Sequence, residues 1–231
     1  MKTALLALAA ALLAAGARAD VVTIDQTKAL AGGVTPGDAP GFPVTISQPG
    51  SYRLTGDLTV ASHNYGAIQV TTSGGVTLDL GGFVVRGTRC SRNLCSIISP
   101  DAHGITGNYL RVRDGRIETF SGWGLVSGGS DMERLHVTGN GSGGISGSGW
   151  SRVLDAHVTH NQGIGLSLLA GIARGNFIAS NSQSQLWGAN GTVLASGNTL
   201  LGPVPLNNDT AGAISMGDNV CAATYANGQR C

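Results

Sequence analysis

The chain has 231 residues, of which 12% are charged and 37 are Gly, with a formal net charge of +1. That length suits one domain. The low charge excludes a disordered polyelectrolyte, and the near-neutral balance gives no electrostatic case for nucleic acid.

Met1 to Ala19 reads as a signal peptide. Lys2 is its positive start, Ala4 to Ala15 its apolar stretch and Ala17-Arg18-Ala19 a small-x-small cleavage site. The apolar run is short for a bilayer span and no second run approaches it, so no transmembrane segment is expected. The localisation expected is secreted, extracellular or periplasmic, after cleavage near Ala19. Residues 20–43 read as an N-terminal cap, with a short helix from Asp25 to Ala31 ended by Gly32-Gly33. Val44 to Val70 reads as irregular early coils, in which Val44/Ile46, Tyr52/Leu54, Leu58/Val60 and Ile68/Val70 alternate as half-buried strands.

From Leu80 onward a pattern recurs. It reads Leu80/Phe83/Val85, Val112/Gly115/Ile117, Met132/Leu135/Val137, Val153/Ala156/Val158, Ala173/Asn176/Ile178 and Ala195/Asn198/Leu200. Its last members lie 32, 20, 21, 20 and 22 residues apart. A fixed period near 20 in a chain rich in Gly, Ser, Thr and Val predicts stacked coils of short strands, a parallel β-solenoid over 44–205. Equivalent residues then stack about 4.8 Å apart in columns. Leu125, Ile145, Leu166 and Leu186 form one apolar column, and Val85, Ile117, Val137, Val158, Ile178 and Leu200 another. Gly or Asp between the first two apolar positions suits a tight corner, and Asn140, Asn161 and Asn181 suit a bend in the left-handed region with stacked amides. Asn176 and Asn198 fall on an apolar column and read as an internal amide ladder.

The single long spacing holds about 12 inserted residues, with Cys90 and Cys95 among them. Cys221 and Cys231 form a second local pair within 206–231, which reads as a C-terminal cap. Four Cys in an exported chain permit three connectivities, and locality favours Cys90–Cys95 and Cys221–Cys231. Pairs so far apart along the solenoid make no metal site, and no metal or cofactor is expected.

Gly75-Val76-Thr77-Leu78-Asp79-Leu80-Gly81-Gly82-Phe83 resembles the opening coil of bacterial right-handed parallel β-helix repeat proteins, as does Pro49-Gly50-Ser51-Tyr52-Arg53-Leu54-Thr55-Gly56-Asp57-Leu58. Gly175-Asn176-Phe177-Ile178-Ala179-Ser180-Asn181 resembles their repeat unit. The resemblance covers most of the mature chain. It implies the pectate-lyase-like superfamily and a right-handed winding. That superfamily includes polysaccharide lyases, hydrolases and secreted proteins without known activity.

The outward column beside Leu125 reads Val126, Ser146, Ser167, Trp187 and offers no acid. A second outward column reads Val84, Arg116, His136, His157, Phe177, Thr199, beside Arg86, Glu118, Thr138, Thr159, Ala179. The residues expected to make a ligand face are Arg113, Arg116, Glu118, His136, Asp155, His157 and Trp187. Trp123, Trp150 and Trp187 suit sugar stacking or the shielding of coil edges. Paired carboxylates for hydrolysis are missing from these columns, so no catalytic residue is assigned. The expectation is a non-catalytic, monomeric, secreted protein that binds a polysaccharide or cell-surface partner or plays a structural role. The alternative is a polysaccharide lyase or glycoside hydrolase working on the Arg111–Glu118 and His136/His157 face.

Overall fold

The structure is a computed structural model that describes residues 20–88, 101–188, 192–202, 204–207 and 213–222. It is a parallel β-solenoid with coils of about 21 residues and about seven turns. Each coil contributes one strand to each of three parallel sheets. Sheet A stacks Val22–Ile24, Gly50–Leu54, Val76–Asp79, residues 110–113, 131–133, 152–154 and 171–174, Val193–Ser196 and Ala213–Ser215. Sheet B stacks Leu58–Thr59, Val84–Arg86, residues 116–118 and 135–138, His157–Thr159, Phe177–Ala179, Thr199–Leu201 and Val220–Ala222. Sheet C stacks Val44–Ile46, Ile68–Val70, Ile105–Asn108, Trp123–Gly128, residues 143–148 and 164–168, Ser184–Gly188 and Val204–Asn207.

The alternation of each strand sends one set of side chains inward, and the stacking turns those sets into continuous apolar columns. Sheet C supplies Val44, Ile68, Ile105, Leu125, Ile145, Leu166 and Leu186, and sheet B supplies Val85, Ile117, Val137, Val158, Ile178 and Leu200. All of them are buried in one core. Sheet A corrects one assignment. The residue stacked on Val112 is Leu78, not Leu80. Gly81 and Gly82, both at positive φ, lengthen that corner and shift the phase, so Leu80 moves on to fill the space above Gly115. A Cβ at Gly115 would meet Leu80 Cβ at 2.2 Å.

The corners follow a rule that the repeat hides. Asp114, Arg134, Asp155, Gly175 and Gly197 between sheets A and B, and Thr119, Gly139, His160 and Ser180 between B and C, take positive φ. The Asn residues are therefore not the left-handed residues. Each follows one, and the reversal it makes turns the Asn side chain inward. Asn140 N–H and Nδ2 both donate to Asn161 Oδ1 at 3.0 Å. Asn161 donates likewise to Asn181 Oδ1, and Asn181 to Gln185 Oε1. A second ladder runs through Asn176, Asn198 and Asn219. The third corner uses hydroxyls: Ser130 Oγ accepts from Leu110 N–H and lies 2.6 Å from Ser127 Oγ, and Ser130 N–H donates to Ser151 Oγ. Buried backbone groups need partners, and these three ladders supply them where strand pairing lapses.

A solenoid has open sheet edges that invite association. At the N-terminal end each sheet is covered differently. Within the segment read as the N-terminal cap, Val22–Ile24 pairs with Tyr52–Leu54 on sheet A. Helix Gln26–Ala31 is started by Asp25, whose carboxylate accepts from Lys28 N–H, and stopped at Gly32. The Gln26 amide then binds the Thr59 backbone as a strand would, donating to its carbonyl at 3.1 Å and accepting from its N–H at 2.8 Å. On sheet C, Asp38 accepts from Val34 and Thr45 N–H, while Thr35 Oγ1 donates to Thr45 O and accepts from Ser47 N–H. Cys221 lies on sheet B opposite Leu200. Cys90, Cys95 and Cys231, and hence both expected pairings, lie outside the described residues, as does the signal peptide.

Candidate functional site

The three-sided cross-section distributes the seven expected ligand residues. Arg116, Glu118, His136 and His157 share the outer face of sheet B. Arg113 points outward from sheet A, between Asp79 and Glu133 in its column. Asp155 sits at the A–B corner and Trp187 on the outside of sheet C, after Ser167. The expected face is thus a sheet B face alone, and Phe177, stacked next to His157, belongs to it.

At its head, Glu118 is held between two guanidiniums. Arg86 Nε lies 2.6 Å from Oε1, and Arg116 Nε lies 2.5 Å from Oε2, the latter an ion pair without hydrogen-bond direction. The bond from Glu118 raises Arg86 above its ordinary pKa. His136 comes next, with its ring centroid 6.1 Å from that of His157, which is 5.5 Å from the Phe177 ring. Burial pushes the His136 imidazole below its ordinary value, the charges of Arg116, His157 and His160 push it further, and Glu118 opposes them. His136 therefore favours the neutral form, a donor and an acceptor beside a fixed cation.

Sheet A carries the other charges as paired rows. Asp79 binds Arg113; Glu133 binds Arg111 and Arg134; Asp131 binds Arg152. Arg134 grips Asp114 with Nε and Nη2 at 2.6 and 3.0 Å, which holds the Asp114 carboxyl below its usual range. Opposite charges thus meet across successive coils, as stacked strands allow. Further along the same sheet the outward column turns apolar, through Ile172, Leu194 and Ile214, all exposed.

Two features were missed from sequence. His160 joins the sheet B face from a corner. Tyr109, 61% exposed, flanks a cleft on sheet A with Thr77, Arg111 and Asp131. Of the tryptophans, Trp123 packs its ring over Gly143 of the next coil, whereas Trp150 is 75% exposed. Among the described residues no group of three His, Cys, Asp or Glu could hold a metal ion, and no helix is long and apolar enough to cross a membrane. No family model, curated protein or solved structure matches the chain.

Proposed function

We propose that the chain is exported, matures by cleavage after Ala19, and acts as a non-catalytic monomeric binding solenoid whose sheet B face takes a glycan or the surface of another protein. The sequence resemblance to bacterial right-handed parallel β-helix proteins of the pectate-lyase-like superfamily supports this reading. One observation carries the reading: an outward-facing row, Arg116–His136–His157–Phe177, in which His157 is exposed and the others half-buried, mixes a cation, two imidazoles and an aromatic ring on one sheet face. Those groups suit hydroxyls, carboxylates and flat apolar ligand surfaces. Glu118, the carboxylate in reach, is committed to Arg86 and Arg116. Hydrolysis needs two carboxyl groups about 5–9.5 Å apart, each able to exchange a proton or attack, and a clamped carboxylate does neither well.

The test is to incubate mature protein with pectins, alginates, glycosaminoglycans and plant β-glycans, measuring binding, unsaturated products and new reducing ends. Binding without turnover, weakened at least tenfold in Arg116→Ala or His157→Ala, is expected. Turnover that vanishes in Glu118→Gln or His136→Ala would establish the enzymatic alternative. Sequencing the N-terminus of secreted protein should return Asp20 first.

A further inference from the structure

The cleft beside Tyr109 is separate from sheet B and is made by the corner between sheets C and A. Its volume is about 340 Å³, and Gly75, Val76, Thr77, Leu110 and Gly129 line it with Tyr109, Arg111 and Asp131. That size is at the low end of small-ligand pockets, about 300–1,000 Å³. Its origin is in the sequence. Tyr109 adopts a φ of +57°, which swings the ring out of the core. In the coil after it stands Gly129, and the ring leans over the bare backbone there, 3.0 Å from where a Cβ would be. In the coil before it stands Gly75, where a Cβ would meet nothing within 4 Å. One side of the aromatic ring is therefore supported and the space beside Gly75 is left open.

The opposite wall is the outward column of sheet A, Thr77, Arg111 and Asp131. Arg111 uses Nη2 on Glu133, which leaves other N–H donors; Asp131 meets Arg152 through Oδ1, which leaves Oδ2. Thr77 adds a hydroxyl. The cleft thus offers an apolar platform on one side, donors and acceptors on the other, and one cation balanced by one anion. A ring with an apolar C–H face and a rim of hydroxyls, carrying no net charge, meets all of these requirements. An anionic ring would face Asp131, and a cationic one Arg111.

We infer that the Tyr109 cleft is a binding site for a neutral saccharide, which stacks on Tyr109 and hydrogen-bonds to Thr77, Arg111 and Asp131. The site does not depend on the sheet B face, and its ligand need not be the one bound there.

Calorimetric titration of the mature protein with β-1,4-linked hexaoses of glucose, xylose, mannose and N-acetylglucosamine tests it. At least one should bind, with affinity lost at least tenfold in Tyr109→Asn, which removes the ring but keeps a residue suited to positive φ. Gly75→Leu, which places a side chain in open space, should block the cleft to the same extent while leaving the melting temperature unchanged. Arg116→Ala and His157→Ala should leave this binding intact. Failure of all four hexaoses to bind at millimolar concentration would overturn the inference. So would binding undiminished in both Tyr109→Asn and Gly75→Leu, or binding lost only in the sheet B variants.

Discussion

Asn161 shows how much one side chain carries. It is fully buried, its Oδ1 accepts from both nitrogens of Asn140, and its Nδ2 donates to Asn181 Oδ1 and Val137 O. Asn161→Ala leaves buried donors and an acceptor unmatched, each costing about 1–3 kcal/mol. Chemical denaturation should register a loss of about 3–6 kcal/mol, against less than about 0.5 kcal/mol for the exposed Gln69→Ala. A loss below about 1 kcal/mol in Asn161→Ala would contradict the ladder's structural weight. A second residue sets an acid limit. His103 Nδ1 accepts from Trp123 N–H at 2.9 Å, and burial lowers its pKa although Asp101 pulls the other way. His136 is lowered as well. Below the ordinary value of 6.5 and above the depressed folded values, the unfolded chain binds more protons than the folded one, so stability falls as pH drops through that window. Melting temperatures measured from pH 8 to 5 should decline below about pH 6.5. His103→Gln should flatten part of the decline, and an unchanged slope would remove His103 from the account.

At the scale of the element, the corner decides what a coil tolerates. A Cβ at Gly163 would lie 1.8 Å from Ser142 O, a backbone atom of the preceding coil, whereas one at Gly75 would meet nothing within 4 Å. Gly163→Ala should therefore destabilise by about 2 kcal/mol or more, and Gly75→Ala by less than about 0.5 kcal/mol. Equal melting temperatures for the two variants would show that the coils can spread. Corners are also where reading the sequence succeeded least. The columns ending in Leu200 and Leu186 were legible because alternation and a period near 20 reinforce each other. Leu80 was misplaced because two glycines lengthened one corner within the pattern. Arg134 and His160 take positive φ without being Gly or Asn, so their identity gave no sign of it. Column membership was readable for Arg113, Asp155 and Trp187, but the face each column occupies depends on the three-sided cross-section. Tyr109 lies outside the repeat pattern, and the glycines beside it, Gly75 and Gly129, belong to neighbouring coils and not to neighbouring sequence.

For the whole molecule, a stack of parallel coils is stable only if its ends are closed. Sheet A uses a strand, sheet B the Gln26 amide, and sheet C Asp38 and Thr35. Asp38→Ala would leave the N–H groups of Val34 and Thr45 without their acceptor and open the first strand of sheet C. The expected outcome is lower stability together with soluble oligomers that grow with concentration, seen by size-exclusion chromatography with light scattering. A destabilised variant that stays monomeric at every concentration would mean that this edge is not what keeps the molecules apart.

The Asn ladders also have a direction. Each Asn side-chain oxygen accepts from the coil before it, from Phe120 N–H to Asn140 and on to Asn181, and from Ala156 N–H through Asn176 to Asn219, while the Nδ2 groups of Asn161, Asn181, Asn176, Asn198 and Asn219 donate back to carbonyls of that earlier coil. A cut between two such coils leaves bare N–H donors and a bare carbonyl on the N-terminal piece, and a bare Asn Oδ1 and Nδ2 on the C-terminal piece. Orphaned N–H groups are tolerated less readily than under-used carbonyl oxygens. Each coil's Asn N–H is thus matched by the coil after it, and the first ladder is closed within its own coil, where Asn181 donates to Gln185 Oε1.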